Sequence, residues 1–323
     1  MTIPTVYRWD DANAPVLSGQ RNSLVNLLKA CLVDGYGIKP SAGWTMPFFS
    51  ANGYRGAFRN NPARGTGFFC YIDGETTANA YTVNFQGYEV LTSIDTGNGK
   101  FLAIDTNSFT ISNVASTAAR CWMIIATDKF FYLLLFPSVA PSTAVSGVIP
   151  IAVSNPGIFV FGDFEAAYIT DAYPCIIAYG YMPAGSGNAY GFLTLSTASA
   201  TSGVVFAGIP RTLSGVAGSL FCPATLVGGG PITSGYQYYF PAGSAPPYSD
   251  QIGLLLSRPG LNNGSAYSFR GWFPGFFIPY CTATSLLPLQ IINKDGRIFV
   301  AVVLYYTALL SYCYFIEIGG GWS

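Results

Sequence analysis

The chain has 323 residues, which is enough to bury one large hydrophobic core or two ordinary ones. Only 9% of the residues are charged, against about 25% in a typical soluble domain, and the 15 basic and 15 acidic side chains balance. This neutrality argues against the positively charged surface that nucleic-acid binding needs. Because so few charges must cover the surface, we expect copies of the chain or other partners to cover much of it.

The chain contains no histidine, and its seven cysteines are scattered without a CxxC pair. A zinc site needs clustered thiolates or imidazoles, so we predict no metal and no cofactor, and buried free cysteines. The lack of histidine also excludes Ser-His-Asp and Cys-His catalysis, and the sequence has no nucleophile elbow or phosphate-binding glycine loop. We therefore predict that the protein is not an enzyme.

One stretch, Ser18 to Asp34, has apolar residues at helical spacing. They fall at i, i+3, i+4, i+7 and i+8, which places them on one helix face. These residues are Leu24, Leu27, Leu28, Cys31 and Leu32. We predict an amphipathic helix of about four turns, with Ser18 as its N-cap and Gly35 as a C-terminal stop at positive φ.

The other apolar runs in the first part of the chain have the length and composition of β-strands bounded by Asn, Pro or Gly. In chain order they are Thr5–Trp9, Ala57–Arg59, Gly67–Asp73, Tyr81–Ile94, Cys121–Ala126 and Phe130–Phe136. Asp95–Gly99 supplies the turn residues of one hairpin, and Thr127–Lys129 separates the strands of another.

The second part of the chain begins with a proline-rich connection at residues 137–157. Strands are predicted at Ile158–Phe161, Cys175–Tyr181, Tyr190–Leu195, Val204–Ile209 and Ile252–Leu256. Long Gly/Ser/Tyr-rich loops run from Met182 to Gly264, and such loops are often binding or assembly surfaces. Phe269–Pro279 is an aromatic elbow pinned by Pro274 and Gly275.

Ile298 to Ile316 is nineteen residues without a charge, which is long enough to span a membrane. Its β-branched and aromatic residues favour strands instead. We predict two antiparallel core strands, Ile298–Tyr306 and Tyr312–Ile318, with Val302 and Phe315 buried and no membrane span. An outer-membrane barrel would suit the abundant Tyr and Gly, but it requires export, and the N-terminus shows no signal segment.

These patterns together predict a mainly β fold with β-sandwich or barrel-like sheets, one substantial N-terminal amphipathic helix and long Gly/Ser/Tyr-rich loops. We expect a helix-plus-β region at residues 1–136. A β region with long loops and C-terminal core strands follows at residues 137–323, unless the two form one continuous domain.

Three carboxylates, Asp163, Glu165 and Asp171, are the strongest enzymatic candidates, because a carboxylate pair can cleave a glycosidic bond. The alternative, which we favour, is that they are loop caps and solvated charges next to strands. Aromatic residues in one long loop form a candidate interaction surface for a partner or a sugar. They are Tyr236, Tyr238, Tyr239, Phe240 and Tyr248.

The chain also carries a series of short motifs in a fixed order. They are Ala14–Gly19, Cys31–Gly37, Gly43–Trp44, Pro47–Phe48, Ala57–Arg59, Gly65–Phe68, Gly87–Glu89, Phe161–Phe164 and Glu317–Trp322. In this order they resemble a family of tailed-bacteriophage virion structural proteins, over residues 5 to about 180 and more loosely near the C-terminus. The region Met182 to Gly264 departs from the family pattern.

The resemblance implies a structural component of the phage virion, located in the neck, tail or capsid exterior. Such a protein is made in the bacterial host cytoplasm and acts as a symmetric homo-oligomer in contact with other virion proteins, and the family has no catalytic motif to carry over. The alternative is a receptor- or glycan-binding tail protein of the fibre or spike type. Its partner would be a host surface glycan bound by the loop aromatics.

Overall fold

The structure is a computed structural model that describes residues 2–101, 109–149, 157–180, 205–215, 221–224, 256–257, 260–263, 268–279, 286–307 and 310–322. The described chain is mainly β, as predicted, and its paired strands are antiparallel. Three sheets are stacked as layers through two hydrophobic clusters, one on each face of a central sheet.

The central sheet has six strands. In spatial order they are β1 (Thr5–Arg8), β8 (Cys121–Ala126), β9 (Phe130–Phe136), β10 (Gly157–Asp163), β12 (Cys175–Gly180) and β13 (Val205–Gly208). Every residue of β8, β9 and β10 is buried, because both faces of the sheet are covered. The expected boundary after residue 136 falls between β9 and β10, which are hydrogen-bonded neighbours in this sheet.

The N-terminal sheet covers one face of the central sheet. Its strands are β2 (Thr45–Phe49), β3 (Arg55–Arg59), β4 (Phe69–Asp73), β5 (Thr82–Ser93) and β6 (Thr96–Phe101), with β7 (Phe109–Thr110) beside β5. The Phe85 ring of β5 stacks on Phe159 of β10 with centroids 3.8 Å apart. The helix lies in the same cluster, so it packs between these layers rather than against the C-terminal strands.

The C-terminal sheet covers the opposite face. Its strands, in spatial order, are β15 (Leu256–Ser257), β18 (Phe276–Pro279), β21 (Leu310–Glu317), β20 (Arg297–Thr307) and β19 (Ile291–Lys294). A fourth, smaller sheet consists of β11 (Glu165–Ala166), β17 (Ser268–Trp272), β16 (Gly260–Asn263) and β14 (Phe221–Ala224). Val302 of β20 packs in one cluster with Met123 and Val160 of the central sheet.

The predicted substantial helix is wrong. An α-helical segment, α1, spans only Ser23–Leu28, and a π-helical segment continues it over Lys29–Asp34. Residues before Ser23 are held by long-range main-chain bonds instead: the Arg120 amide donates to Leu17 O at 2.8 Å, and the Gly19 amide donates to Ser116 O at 2.9 Å. Because these bonds tie the segment to a distant loop, Ser18 is not the N-cap.

The apolar face and the stop of this helix are confirmed. All five residues of its predicted apolar face are fully buried, and Gly35 has φ of 80°. The carbonyl groups of Cys31 and Leu32, which have no partner inside a helix end, accept from the amides of Ala42 and Trp44 at 3.1 and 3.0 Å. The chain therefore leaves the helix bonded to the loop that leads into β2.

The strand predictions are confirmed wherever the structure describes an entire run, with one shifted turn. The β8–β9 hairpin turns at Thr127–Lys129, and the C-terminal run forms the paired strands β20 and β21. Val302 and Phe315 are buried as predicted. The hairpin expected to turn at 95–99 turns at 94–95 instead, and Thr96–Phe101 is a strand. Tyr190–Leu195 lies outside the described residues, as does all but the last residue of 252–256.

Candidate functional site

The aromatic candidates Tyr236, Tyr238, Tyr239, Phe240 and Tyr248 lie outside the described residues. The three candidate carboxylates are described, and the structure places them at the end of β10 and in the segment that follows it. We therefore build the candidate site from these carboxylates and from the exposed turns of the described surface.

Asp163 ends β10 and is bound by the loop between β3 and β4. Its Oδ1 accepts from Asn60 Nδ2 at 2.9 Å and from Thr66 Oγ1 at 2.6 Å, and its Oδ2 accepts from the Thr66 amide at 2.6 Å. Burial raises the pKa of Asp163 to about 6, although the bonds from Thr66 and Asn60 favour its ionised form. The carboxylate thus fastens the N-terminal sheet to the central sheet.

The same loop also bonds to the turn of the β8–β9 hairpin. The Asn61 amide donates to Asp128 O at 2.9 Å, and Arg64 Nη1 lies 3.0 Å from Asp128 Oδ2. Asn60 Nδ2 donates to Lys129 O at 3.3 Å. Asp163 therefore belongs to a group of polar contacts between the N-terminal sheet and the central sheet. Its hydrogen-bond partners all come from the chain itself.

Asp171 is held by Arg270 of β17 in a fully buried ion pair. Arg270 Nε donates to Asp171 Oδ2, and Arg270 Nη2 donates to Asp171 Oδ1, both at 2.7 Å. The guanidinium also donates to the main-chain oxygens of Arg211 and Tyr173 at 3.0 and 3.3 Å. Glu165 lies in β11, where its main chain is paired with Trp272.

These contacts give Asp163 and Asp171 structural roles. Each carboxylate is buried and bonded to donors from a different part of the chain: Asp163 to Asn60 and Thr66, and Asp171 to Arg270. The expectation that these residues are loop caps and solvated charges is therefore wrong in its second part for Asp163 and Asp171, because both side chains are buried and bonded to other parts of the chain. A glycoside-cleaving pair would instead need two carboxylates that face one sugar across a gap of about 5–10 Å.

The described surface has a second feature, which we call the β1 corner. It consists of Arg8–Asp11, the turn Tyr36–Lys39 and the turn Val145–Val148, at the outer edge of the central sheet. Lys39 Nζ donates to Val6 O at 2.8 Å, and the Arg8 amide donates to Asp11 Oδ2 at 2.8 Å. Because side chains occupy these main-chain groups, the edge of β1 is protected against pairing with another strand.

Large apolar side chains stand at the tips of several turns. Ile38 is 95% exposed and Val145 is 65% exposed, and both belong to the β1 corner. Tyr168, Ile169 and Leu213 are exposed on two other turns, and Ile169 is fully exposed. These residues are not among the sites predicted from the sequence, although an apolar residue beside glycine in a two-residue turn, as in Gly37-Ile38, is a pattern that indicates an exposed apolar side chain.

Four of the cysteines, one in the helix and three in strands, are small buried side chains. Cys31, Cys70, Cys121 and Cys175 are free, and burial raises the pKa of each thiol, in Cys121 to about 12. Among the described residues, no group of three His, Cys, Asp or Glu side chains is arranged to hold a metal ion.

No helix in the described part of the chain has both the length and the apolar character needed to cross a membrane. No protein-family model matches the chain, and no curated protein matches it.

Proposed function

We propose that the chain is a structural component of a bacteriophage virion, in the neck, tail or capsid exterior. It is made in the cytoplasm of the bacterial host, and it acts by homo-oligomeric assembly and by contact with other virion proteins. The resemblance of its ordered motifs, from Ala14–Gly19 to Glu317–Trp322, supports this proposal. The layered β architecture, with its structural carboxylates, is compatible with it.

One observation carries the assembly part of the proposal. The surface combines very few charges with large apolar side chains at turn tips, and only 9% of the chain is charged. Burying one side chain such as Ile38 or Val145 at an interface stabilises a complex by about 1.5–3 kcal/mol before the costs of association. Such a surface is suited to contact with protein rather than with solvent.

The proposal is tested on particles of a phage that encodes the chain. We expect the chain in many copies per purified particle, and we expect the isolated protein to sediment as a discrete oligomer. Absence from the particles, together with a monomer in solution, refutes the proposal. If replacement of Tyr236, Tyr238 and Tyr239 by Ala leaves particles intact but abolishes adsorption, the receptor-binding alternative is correct instead.

A further inference from the structure

We propose that the β1 corner is an isologous contact, at which two copies of the chain meet across a two-fold axis. This inference rests on the proposed homo-oligomeric function and names the surface that would carry it. Three properties of the corner support it. Its apolar residues stand on turns held by hydrogen bonds, its positive and negative charges are equal in number, and the edge of β1 is protected against pairing with another strand.

The first turn holds Ile38 in a fixed position. The Tyr36 amide donates to Lys39 O at 3.1 Å, and the Lys39 amide donates to Tyr36 O at 2.8 Å, which closes the turn in both directions. The Tyr36 hydroxyl donates to Asp11 Oδ2 at 2.8 Å, and Gly37 has φ of 54°. Ile38 therefore projects into solvent from an anchored turn.

The second turn is built in the same way and is attached to the same corner. Val145 and Val148 exchange main-chain hydrogen bonds of 3.1 and 3.0 Å, and Arg8 Nη2 donates to Gly147 O at 2.7 Å. Both tips are thus fixed to Arg8–Asp11 before any partner arrives. A pre-organised surface loses little conformational entropy on binding, which favours association.

The charges of the corner suit a second copy of the same surface. Arg8 lies 2.7 Å from Asp10, and Lys39 lies 3.3 Å from Asp11, so the corner carries two ion pairs and no net charge. In an isologous contact a patch meets itself, and a single sign would repel. A mixed patch can place each charge opposite its complement, whereas a lipid surface or a nucleic acid would select one sign.

The protected edge of β1 determines which groups can form the contact. Because Lys39 and Asp11 already bond to the outward main-chain groups of β1, a partner cannot extend the sheet there. The contact is made through side chains, with Ile38 and Val145 as its apolar centre and the four charges around them. This arrangement of an apolar centre and a polar rim is the usual anatomy of a protein interface.

The test compares the same substitution at two exposed isoleucines. Ile38→Asp places a buried charge at the proposed contact, and Ile169→Asp is the matched control on a turn outside the corner. Sedimentation velocity over a range of concentrations should show at least about a tenfold higher dissociation constant for Ile38→Asp, the equivalent of 1.4 kcal/mol. Ile169→Asp should sediment as the wild type does.

A covalent readout of which residues lie close together in the complex completes the test. Ile38→Cys, treated with a short bismaleimide, should give a crosslinked dimer, whereas Ile169→Cys should not. The inference is overturned if Ile38→Asp associates as the wild type does, if Ile169→Asp dissociates the oligomer, or if only Ile169→Cys crosslinks. A wild-type oligomer with any of these results refutes the contact alone, whereas a monomeric wild type absent from particles refutes the proposed function as well.

Discussion

Removing one partner of the Asp171–Arg270 ion pair should destabilise the fold strongly. Neither side chain has any exposed surface, and the two are joined by two bonds of 2.7 Å. Asp171→Asn leaves the guanidinium charge buried against a neutral amide, and Arg270→Met leaves the carboxylate without its two donors. Loss of one partner of a buried pair typically costs about 3–5 kcal/mol, because the remaining charge is neither solvated nor paired.

The assay is urea-induced unfolding followed by tryptophan fluorescence. We expect each single variant to lose about 3–5 kcal/mol of unfolding free energy. The double variant Asp171→Asn/Arg270→Met should lose less than the sum of the two, since it leaves no buried charge. Lys294→Met is the control, because its partner Asp295 is 80% exposed and such a pair contributes at most about 1 kcal/mol. An Asp171→Asn variant within about 1 kcal/mol of the wild type would refute the reasoning.

Three further predictions follow from individual positions. Asp163 has a pKa of about 6 in the folded protein, above its unfolded value, so its contribution to the free energy of unfolding should fall as pH rises from 4 to 6. The unfolding free energies of wild type and Asp163→Asn, measured at several pH values, should differ by an amount that changes over this range and becomes constant above pH 7. Gly162→Ala should abolish soluble expression, because a Cβ there would lie 2.1 Å from Lys129 O. Gly296→Ala meets nothing within 4 Å and should cost only the strain of its φ of 76°, about 1–2 kcal/mol, so equal yields of the two variants would contradict this reasoning. Phe315→Ala should lower the unfolding free energy by about 3–5 kcal/mol in urea titration, and an unchanged midpoint would show that the C-terminal strands are peripheral.

The sequence by itself determined the positions of most described strands. The runs Cys121–Ala126 and Phe130–Phe136 are apolar on both faces and are separated by a polar turn. The two runs can therefore pair with each other as a buried hairpin. The uncharged run Ile298–Ile316 could be divided into two strands because β-branched and aromatic residues fit a pleated surface better than a helix. These features depend on residues that are close together in the sequence, and sequence patterns can therefore predict them.

The tertiary structure alone decided where the helix begins. Residues 18–22 are Ser, Gly, Gln, Arg and Asn, a polar segment that could have formed the first turn of the helix, but Gly19 is bonded to Ser116, almost a hundred residues away. A long-range main-chain bond of this kind competes with helix formation at the end of a helix, where intrahelical bonds are already incomplete. Helical spacing cannot reveal such a competitor.

The tertiary structure also decided what the candidate carboxylates do. Asp163 meets Asn60 across 103 residues of sequence, and Asp171 meets Arg270 across 99. In the sequence both appear only as acidic residues after a strand, equally suited to catalysis or to a solvated loop. Asn60 comes close to Asp163 because β10 lies inside the central sheet, with the N-terminal sheet on one side. Arg270 comes close to Asp171 because β11 pairs with β17. Sheet order, which depends on the folding of the whole chain, therefore fixes their role.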